Sequence, residues 1–266
     1  MESRLRFVLS RPRSVLRDFY GYFWAFQRKV RTNRGVFESF RAAAASCPTG
    51  KRLGYDQHVV AHSNPVNLTS PEEIGRFDPR DYPVLVWLAR AFEDGTTVFD
   101  LGGHVGLGYY AYRPFIHYPR SLRWVVCEIP PVCVAGRQFA AEREAPGLEF
   151  TEDYNRCEGA DILLTCGALQ FLEFPLAHLL SGLRRKPKHL ILHRVPLGDV
   201  PTFYTLQNIG YSYCPYRVQN KQELLNSLAA QGYQLVDSWR DSKEFRIPFH
   251  PRQTVNGFQG IYLRLR

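Results

Sequence analysis

The sequence has no long apolar run and few cysteines. No stretch of its 266 residues reaches the roughly 18 consecutive apolar residues that a membrane-spanning helix requires, and its first ten residues lack the apolar core of a secretory signal. No two cysteines form a Cys-x-x-Cys pair, which argues against a disulfide scaffold and structural zinc, so no metal site is expected. We therefore expect a protein of the reducing cytoplasm. The six cysteines are Cys47, Cys127, Cys133, Cys157, Cys166 and Cys214.

Positive charge is concentrated at one end of the chain. The net charge is +9, and residues 1–41 contain ten Lys and Arg against three acidic residues. The rest of the chain is nearly balanced, so no nucleic-acid partner is expected. Residues 1–46 are predicted to be helical, with four apolar residues on one face: Phe19, Phe23, Phe26 and Val30. Two explanations of that face stay open. It packs on the main domain, or residues 1–41 make a peripheral contact with an anionic inner-membrane surface.

Short apolar runs alternate with helical patterns through the remainder of the chain. A helix beginning after Asp81, its predicted N-cap, comes first. Helices are also predicted at Val132–Arg143 and Leu176–Arg184. Five strands are predicted at Thr97–Leu101, Trp124–Glu128, Leu148–Thr151, Asp161–Thr165 and His189–Arg194. This alternation predicts a parallel, doubly wound sheet.

The end of the chain follows a different pattern. A helix over Lys221–Gln231 is followed by predicted strands at Tyr233–Trp239 and Gly260–Leu265. A parallel sheet that closes with a helix and a long hairpin is typical of methyltransferases that use S-adenosylmethionine (SAM). A dinucleotide-binding domain continues with another strand–helix unit instead. Before this region, the segment Pro196–Asn220 is expected to be a long loop. Its aromatic residues, among them Tyr204, Tyr211, Tyr213 and Tyr216, either stack on a ligand or pack beneath the loop.

A glycine-rich turn follows the first predicted strand. The strand carries Asp100 near its end, and Gly102, Gly103, His104 and Gly106 come next. Such a turn lets backbone N–H groups approach a ligand that a side chain would block. The acid suits a cationic or hydroxyl-bearing ligand better than a bare phosphate. The pattern therefore predicts a nucleoside cofactor.

The same turn fits two motifs. The first, Asp100-x-Gly102-Gly103-x-x-Gly106, indicates SAM, and the second, Gly106-x-Gly108-x-x-Ala111, is a dinucleotide fingerprint. The second motif begins five residues beyond Leu101, too far for a tight turn from strand to helix. SAM is therefore the predicted cofactor, in preference to NAD.

Polar residues at the ends of later strands extend this predicted site. Glu128 ends the second strand and is expected to accept hydrogen bonds from both ribose hydroxyls. Asp153 follows the third strand, and it is either an adenine ligand or an ordinary loop acid. The fourth strand ends at Thr165, Cys166 and Gly167, which are expected to face the cofactor.

Three residues are candidates for the chemistry of the reaction. His193, at the end of the fifth strand, has the side chain of a general base or of a structural histidine. Arg194 beside it can hold an anionic group. His104, within the glycine turn, is a further candidate for accepting a proton.

Several elements resemble a bacterial family of SAM-dependent methyltransferases whose genes often lie in clusters for O-antigen or capsule synthesis. The resemblance runs from about residue 50 to 240. In that family Asp often stands at the position of His193, and Thr at that of Val195, which weakens a catalytic role for His193. The matching elements are Gly54-Tyr55-Asp56, Asp81-Tyr82-Pro83-Val84-Leu85, Phe99–Gly106, Tyr109-Tyr110, Gly167–Leu172, His193–Pro196 and Ser212–Pro215.

The resemblance implies a class I SAM-dependent methyltransferase fold: an α/β, Rossmann-like domain with a mostly parallel seven-stranded sheet that ends in an antiparallel hairpin. Residues 51–266 are expected to form this domain, and residues 1–50 a basic helical arm. The implied function is O-methylation of a sugar in a surface-polysaccharide precursor, with a small-molecule or glycan acceptor. An NAD-dependent sugar-modifying enzyme and a non-catalytic assembly protein are the alternatives.

Overall fold

The structure is a computed structural model that describes residues 15–26, 28, 31–54, 75–242 and 244–266. Its centre is a seven-stranded sheet with the order β10-β13-β6-β5-β2-β3-β4. The strands from β4 to β6 run parallel, whereas β13 is antiparallel to both of its neighbours. The seven strands are β2 (Thr97–Leu101), β3 (Arg123–Cys127), β4 (Leu148–Thr151), β5 (Ile162–Cys166), β6 (His189–Val195), β10 (Tyr233–Arg240) and β13 (Gln259–Leu265).

This sheet confirms the architecture expected from the sequence. The observed bounds of β2 and β4 equal the predicted ones, and the other strands differ from prediction by one residue at one or both ends. The chain also closes as expected, because a helix and an antiparallel pair, β10 and β13, complete the sheet. The insertion of an antiparallel strand between β6 and β10 distinguishes this sheet from a doubly wound dinucleotide-binding sheet.

Helices cover both faces of the sheet and create two apolar cores. One core joins α2 and α3 to the face that carries Val98, Trp124 and Ile162. The other joins α5 and α6 to the face that carries Phe99, Leu163 and Leu190. The division follows from the alternation of side chains along buried strands. The helices are α1 (Phe40–Ala45), α2 (Tyr82–Ala91), α3 (Leu107–Tyr112), α4 (Pro130–Glu142), α5 (Leu176–Ser181) and α6 (Lys221–Ala230).

A second, four-stranded sheet corrects two expectations. The segment predicted as a loop, Pro196–Asn220, instead forms three strands, and residues 32–37, predicted as helix, form a fourth. The two errors have different causes. Residues 32–37 become a strand by pairing with Phe203–Asn208, which is far away in sequence. Within Pro196–Asn220, Phe203–Asn208 pairs with Tyr213–Val218 as a hairpin of neighbouring segments. The strands are β1 (Thr32–Phe37), β7 (Leu197–Gly198), β8 (Phe203–Asn208) and β9 (Tyr213–Asn220), in the order β1-β8-β9-β7. A short pair, β11 (Glu244–Phe245) and β12 (Val255–Asn256), lies after β10.

The apolar face predicted for the first helix is also corrected. Phe26 is fully buried, whereas Phe19 and Phe23 are about half exposed. Residues 15–19 are α-helical, but Tyr20–Ala25 is a π-helical turn in which the N–H of Phe26 bonds to the carbonyl of Gly21. Its wider turn rotates Phe26 away from Phe19 and Phe23. Val30, the fourth residue of that predicted face, lies outside the described residues.

Among the described residues, no helix is both long enough and apolar enough to cross a bilayer. The division of the chain into residues 1–50 and 51–266 stays a prediction. Residues 32–45, on the first side of that division, pair or pack with β8 and β9 from the second.

Asn208 should be important for holding the N-terminal segment on the second sheet. Its amide donates to the carbonyls of Phe26 and Arg28, both at 2.6 Å, and it is 2% exposed. We expect Asn208→Ala to lower the free energy of unfolding by about 1–2 kcal/mol, because the Arg28 carbonyl loses this side-chain donor and the Phe26 carbonyl keeps only the Tyr213 hydroxyl as a side-chain donor. Thermal unfolding and limited proteolysis near residue 28 test this. Asn226→Ala on the exposed face of α6 is the control. Equal stability of the two variants would contradict the role of Asn208 in holding the N-terminal segment.

Candidate functional site

A cavity of about 560 Å³ lies at the carboxyl edge of the central sheet. Six of the predicted site residues line it: Asp100, Gly102, Gly103, His104, Cys166 and Arg194. The predicted residues outside its lining are Gly106, Glu128, Asp153, Thr165, Gly167 and His193. Other residues that line the cavity were not predicted from the sequence; they include Arg76, Phe77, Asp78, Asp81, Leu107 and Tyr112.

The two adjacent glycines of the turn are required by close packing. A Cβ atom at Gly102 would lie 2.2 Å from the Cβ of Ala168, and one at Gly103 would lie 2.3 Å from Oδ2 of Asp100. The N–H of Gly102 bonds to the carbonyl of Cys127 at 2.9 Å. The doubled glycine therefore lets the turn contact the loop after β5 on one side and the acid on the other.

Asp100 is a buried carboxylate on the cavity wall. It is 2% exposed, and the indole N–H of Trp124 donates to its Oδ2 at 3.0 Å. Desolvation by burial raises the pKa of Asp100 to about 7, with the nearby Glu128 contributing in the same direction. No salt bridge to Asp100 occurs among the described residues. A cationic ligand in the cavity would therefore compensate a charge that no cation in the described part of the chain pairs with.

Glu128 follows β3 and is fixed by backbone donors. Its Oε1 accepts the N–H of His104 at 3.2 Å, and its Oε2 accepts the N–H of Ile129 at 3.1 Å. Burial raises the pKa of its carboxyl. Glu128 is thus oriented at the end of the strand next to the turn. Its position fits the predicted role at a ribose, although it does not line the cavity itself.

Of the predicted site residues at the end of β5 and after β4 and β5, only one lines the cavity. Cys166 lines the cavity, whereas Thr165 points to the other side of the strand, as the alternation of side chains requires. Gly167 donates its N–H to the carbonyl of His193 at 2.8 Å. Asp153 is exposed and accepts the N–H of Asn155 at 2.9 Å, so it caps the turn that follows. This contact matches the expectation of a loop acid.

Asp81 is the central acid of the wall that the sequence did not assign to the site. It occupies the N-cap position of α2, but its side chain makes no cap hydrogen bond. Instead its Oδ2 accepts from the hydroxyl of Tyr112 at 3.0 Å, and its Oδ1 lies 3.0 Å from Nε2 of His193 and 2.6 Å from the Arg194 guanidinium. Asp81 therefore joins α2, α3 and β6 at the cavity.

His193 has no free ring nitrogen. The indole N–H of Trp239 donates to Nδ1 at 3.0 Å. Because an indole can only donate, Nδ1 is the acceptor, and Nε2 carries the proton that is donated to Asp81. His193 is 2% exposed and does not line the cavity. In this arrangement it orients Asp81, and the geometry gives no support to its proposed role as general base.

The tyrosines predicted to cover the site do not line the cavity. Tyr213 is buried and donates to the carbonyl of Phe26 at 2.9 Å, and Tyr216 stacks on Phe245. They face the core of the second sheet because the segment is a hairpin instead of a loop. Tyr204 and Tyr211 are likewise absent from the cavity lining.

Arg194 connects the two acids that precede α2. Its guanidinium lies 2.9 Å from Asp78 and 2.6 Å from Asp81. Its backbone has a φ of +57°, a strained conformation for a residue with a side chain. The Arg80 guanidinium beside Asp78 holds the pKa of that carboxyl well below its usual range. Asp78 and Asp81 thus have cationic partners, in contrast to Asp100.

His104 also has a strained backbone, with a φ of +56°. Burial lowers the pKa of its imidazole to about 4, so the ring is neutral at pH 7. Its buried Nδ1 has no hydrogen-bond partner in the described part of the chain. A neutral ring adds no positive charge beside Asp100 and leaves one nitrogen available to a ligand.

Replacing Asp100 with Asn should stabilise the protein at neutral pH. The pKa of Asp100 is about 7 in the folded state and near 4 in the unfolded state, so ionisation opposes folding. The gain in the free energy of unfolding of the Asp100→Asn variant should be absent below about pH 4, grow up to about pH 7 and stay constant above it. Asn retains an oxygen for the Trp124 N–H. Thermal unfolding from pH 4 to 8 measures the difference, and a gain that is independent of pH would contradict the burial of an ionisable group.

The fold is shared with solved methyltransferase structures. A SAM-dependent methyltransferase from Aquifex aeolicus matches with a TM-score of 0.51 and 13% identity, over 80% of this chain and 100% of that chain. Burkholderia thailandensis 1,6-didemethyltoxoflavin-N1-methyltransferase, solved with S-adenosylhomocysteine, matches with a TM-score of 0.48 and 18% identity, over 78% and 88% of the two chains. No protein-family model and no curated protein sequence matches this chain. The Aquifex similarity shows that the chain has the fold of a SAM-dependent methyltransferase.

Proposed function

We propose that this chain is a SAM-dependent methyltransferase that methylates a hydroxyl group of a sugar. The observation that carries the proposal is Asp100: a buried carboxylate without a cationic partner among the described residues, facing a cavity beside a glycine turn. The volume of about 560 Å³ lies within the range of roughly 300–1,000 Å³ typical of small-molecule sites. SAM carries both a sulfonium and an ammonium group, which are cations of the kind this site favours.

The residues around the cavity fit SAM. Asp100 and the turn at Gly102 and Gly103 would hold its cationic methionine end, and His104 offers its unpartnered Nδ1. Glu128, with both oxygens already oriented by backbone N–H groups, would accept the ribose hydroxyls. When bound, SAM supplies an electrophilic methyl group for an in-line displacement. Cys166 lines the cavity, whereas Asp153, Thr165 and Gly167, like Glu128, lie outside its lining.

Catalysis by these residues would depend mainly on positioning. Holding the acceptor oxygen in line with the methyl group lowers the entropic part of the barrier. A hydroxyl acceptor also loses a proton. Of the residues considered for accepting this proton, His104 lines the cavity, and the tyrosines of Pro196–Asn220 do not. Arg194, which lines the cavity as the partner of two acids, would hold an anionic group instead. His193 acts one step away by orienting Asp81.

The sugar acceptor rests on the family resemblance of the sequence and on the polar cavity wall formed by Arg76, Asp78, Asp81 and Arg194. Hydroxyl-rich ligands need such pairs of donors and acceptors. Within this proposal the enzyme acts in the cytoplasm on a precursor of a surface polysaccharide.

The geometry does not favour the alternative with NAD. In the dinucleotide register, Gly106 would form the turn after the strand, but it is the N-cap of α3, and Gly108 lies within that helix. The phosphate-binding turn of that motif is therefore missing at the expected place. A non-catalytic assembly protein would keep the fold without needing the charge of Asp100.

SAM should bind more tightly as the pH rises from 6 to 8. Asp100 ionises near pH 7, and its negative charge attracts a cation, whereas a dianionic ligand such as NADH would be repelled. Isothermal titration with SAM and with NADH across this range measures both effects. Asp100→Asn should abolish the pH dependence, and Glu128→Gln should weaken SAM about tenfold through the lost ribose contacts.

Glu142→Gln, on the exposed end of α4, is the matched control and should bind SAM normally. Binding of NADH alone, or SAM affinity that is unchanged in Asp100→Asn and Glu128→Gln, would exclude this use of the cavity.

Methylation of a glycan should require Asp100. Cells that carry the wild-type gene, the Asp100→Asn gene or a deletion are compared by mass spectrometry of their surface glycan and its precursors. We expect one CH₂ unit per acceptor sugar to disappear in both mutants. A glycan that loses its methyl group in the deletion but keeps it in Asp100→Asn would favour the non-catalytic alternative, since that variant is expected to fold.

A further inference from the structure

The first described helix exposes an unusual amount of apolar surface. Six large apolar residues within ten positions are exposed, among them Leu16 at 69%, Tyr20 at 57% and Trp24 at 60%. A water-soluble surface seldom concentrates such residues without a partner. We name this group the apolar stripe; it comprises Val15, Leu16, Phe19, Tyr20, Phe23 and Trp24.

Asp18 and Phe26, which are not part of the stripe, make the main contacts of this segment with the rest of the protein. The Arg246 guanidinium donates to Asp18 at 2.8 Å, and the N–H of Phe249 donates to the same carboxylate at 3.0 Å. Phe26 packs on Tyr213, with ring centroids 4.9 Å apart. The helix is therefore fixed by a polar anchor, by the buried ring of Phe26 and by the edge contact of Phe19 with Phe249 at 5.1 Å. The remaining rings and aliphatic side chains of the stripe stay exposed.

Cations flank the stripe. Arg17 is exposed within it, and the Arg28 guanidinium lies 5.3 Å from the centre of the Trp24 ring. The acids within residues 15–41 are only Asp18, which is paired with Arg246, and Glu38. Aromatic rings beside arginines are characteristic of helices that lie in the headgroup region of an anionic membrane.

We infer that the apolar stripe is a membrane-binding surface that inserts into a bilayer containing anionic lipids. A second copy of this chain fits the stripe less well, because a contact of two stripes would bring like charges together. Anionic headgroups would instead neutralise Arg17 and Arg28 while the rings enter the interface. The inference concerns binding alone and does not depend on the proposed methyl transfer.

The attachment of the stripe also connects it to the cavity. Arg80, which is paired with the cavity residue Asp78, lies 3.7 Å from Asp241. The chain that follows Asp241 carries Arg246 and Phe249, which hold the helix. An acceptor held in the membrane by a lipid would therefore be presented to an enzyme already docked there.

Flotation with lipid vesicles tests the inference. The full chain should float with vesicles of phosphatidylcholine and phosphatidylglycerol, bind several-fold less to phosphatidylcholine alone, and be released by high salt. The double variant Phe23→Ser and Trp24→Ser should bind at least tenfold more weakly, because two exposed rings no longer enter the bilayer.

The double variant Val134→Ser and Val236→Ser is the control, since these side chains are 52% and 49% exposed elsewhere on the surface. It should bind vesicles like the wild type. Equal binding by both double variants would overturn the inference, and so would equal binding to neutral and anionic vesicles. Sedimentation velocity without lipid is an independent test. If the wild type is a dimer and the double variant Phe23→Ser and Trp24→Ser is a monomer, the stripe is a self-association surface and the inference is overturned.

The depth to which the stripe enters the bilayer can be measured by tryptophan fluorescence quenching. Brominated lipids quench only tryptophans that enter the acyl region, and Trp24 is the exposed one of the four, the others being Trp87, Trp124 and Trp239. Quenching should therefore be present in the wild type and absent in Trp24→Phe, which still binds. Quenching that persists in Trp24→Phe would place the contact elsewhere on the protein.

Discussion

The site depends on the hydrogen bonds and the ion pair that the buried carboxylate of Asp81 accepts. Tyr112 from α3, together with His193 and Arg194 from β6, converges on its two oxygens. A buried carboxylate that loses one of these donors would pay a desolvation cost without compensation. The carboxylate therefore fixes where α2 begins relative to the sheet, and with it the wall of the cavity opposite the glycine turn.

The two acids of the cavity illustrate different uses of burial. Asp81 is surrounded by donors and serves the architecture. Asp100 has the Trp124 indole and no ion pair among the described residues, so its burial raises its pKa to about 7 and costs stability. Retaining such a group is understandable if a ligand supplies the missing positive charge. The doubled glycine beside it leaves room for the carboxylate and for close approach of the turn to Ala168.

The membrane-binding surface and the cavity are parts of one arrangement in this interpretation. Asp241 lies 3.7 Å from Arg80, which is paired with Asp78, and Arg246 further along the chain donates to Asp18 of the first helix. In that helix Asp18 is held by the rest of the protein, whereas Leu16, Tyr20 and Trp24 are exposed. In the membrane-bound state that we infer, these contacts would connect the apolar stripe to the wall of the cavity.

The sequence by itself determined the central sheet and the glycine turn. Strands such as Thr97–Leu101 and Leu148–Thr151 are short apolar runs between helical patterns, and the residues that flank Gly102 are adjacent in the chain. Local patterns carry that information. The other features depend on tertiary contacts. The strand at residues 32–37 and the wall formed by Asp78 and Asp81 arise from contacts between residues more than a hundred positions apart, such as Asp81 with His193, and no local pattern specifies such a contact. The hairpin within Pro196–Asn220 pairs residues that are close in sequence, but its place in a second sheet depends on the distant strand at residues 32–37.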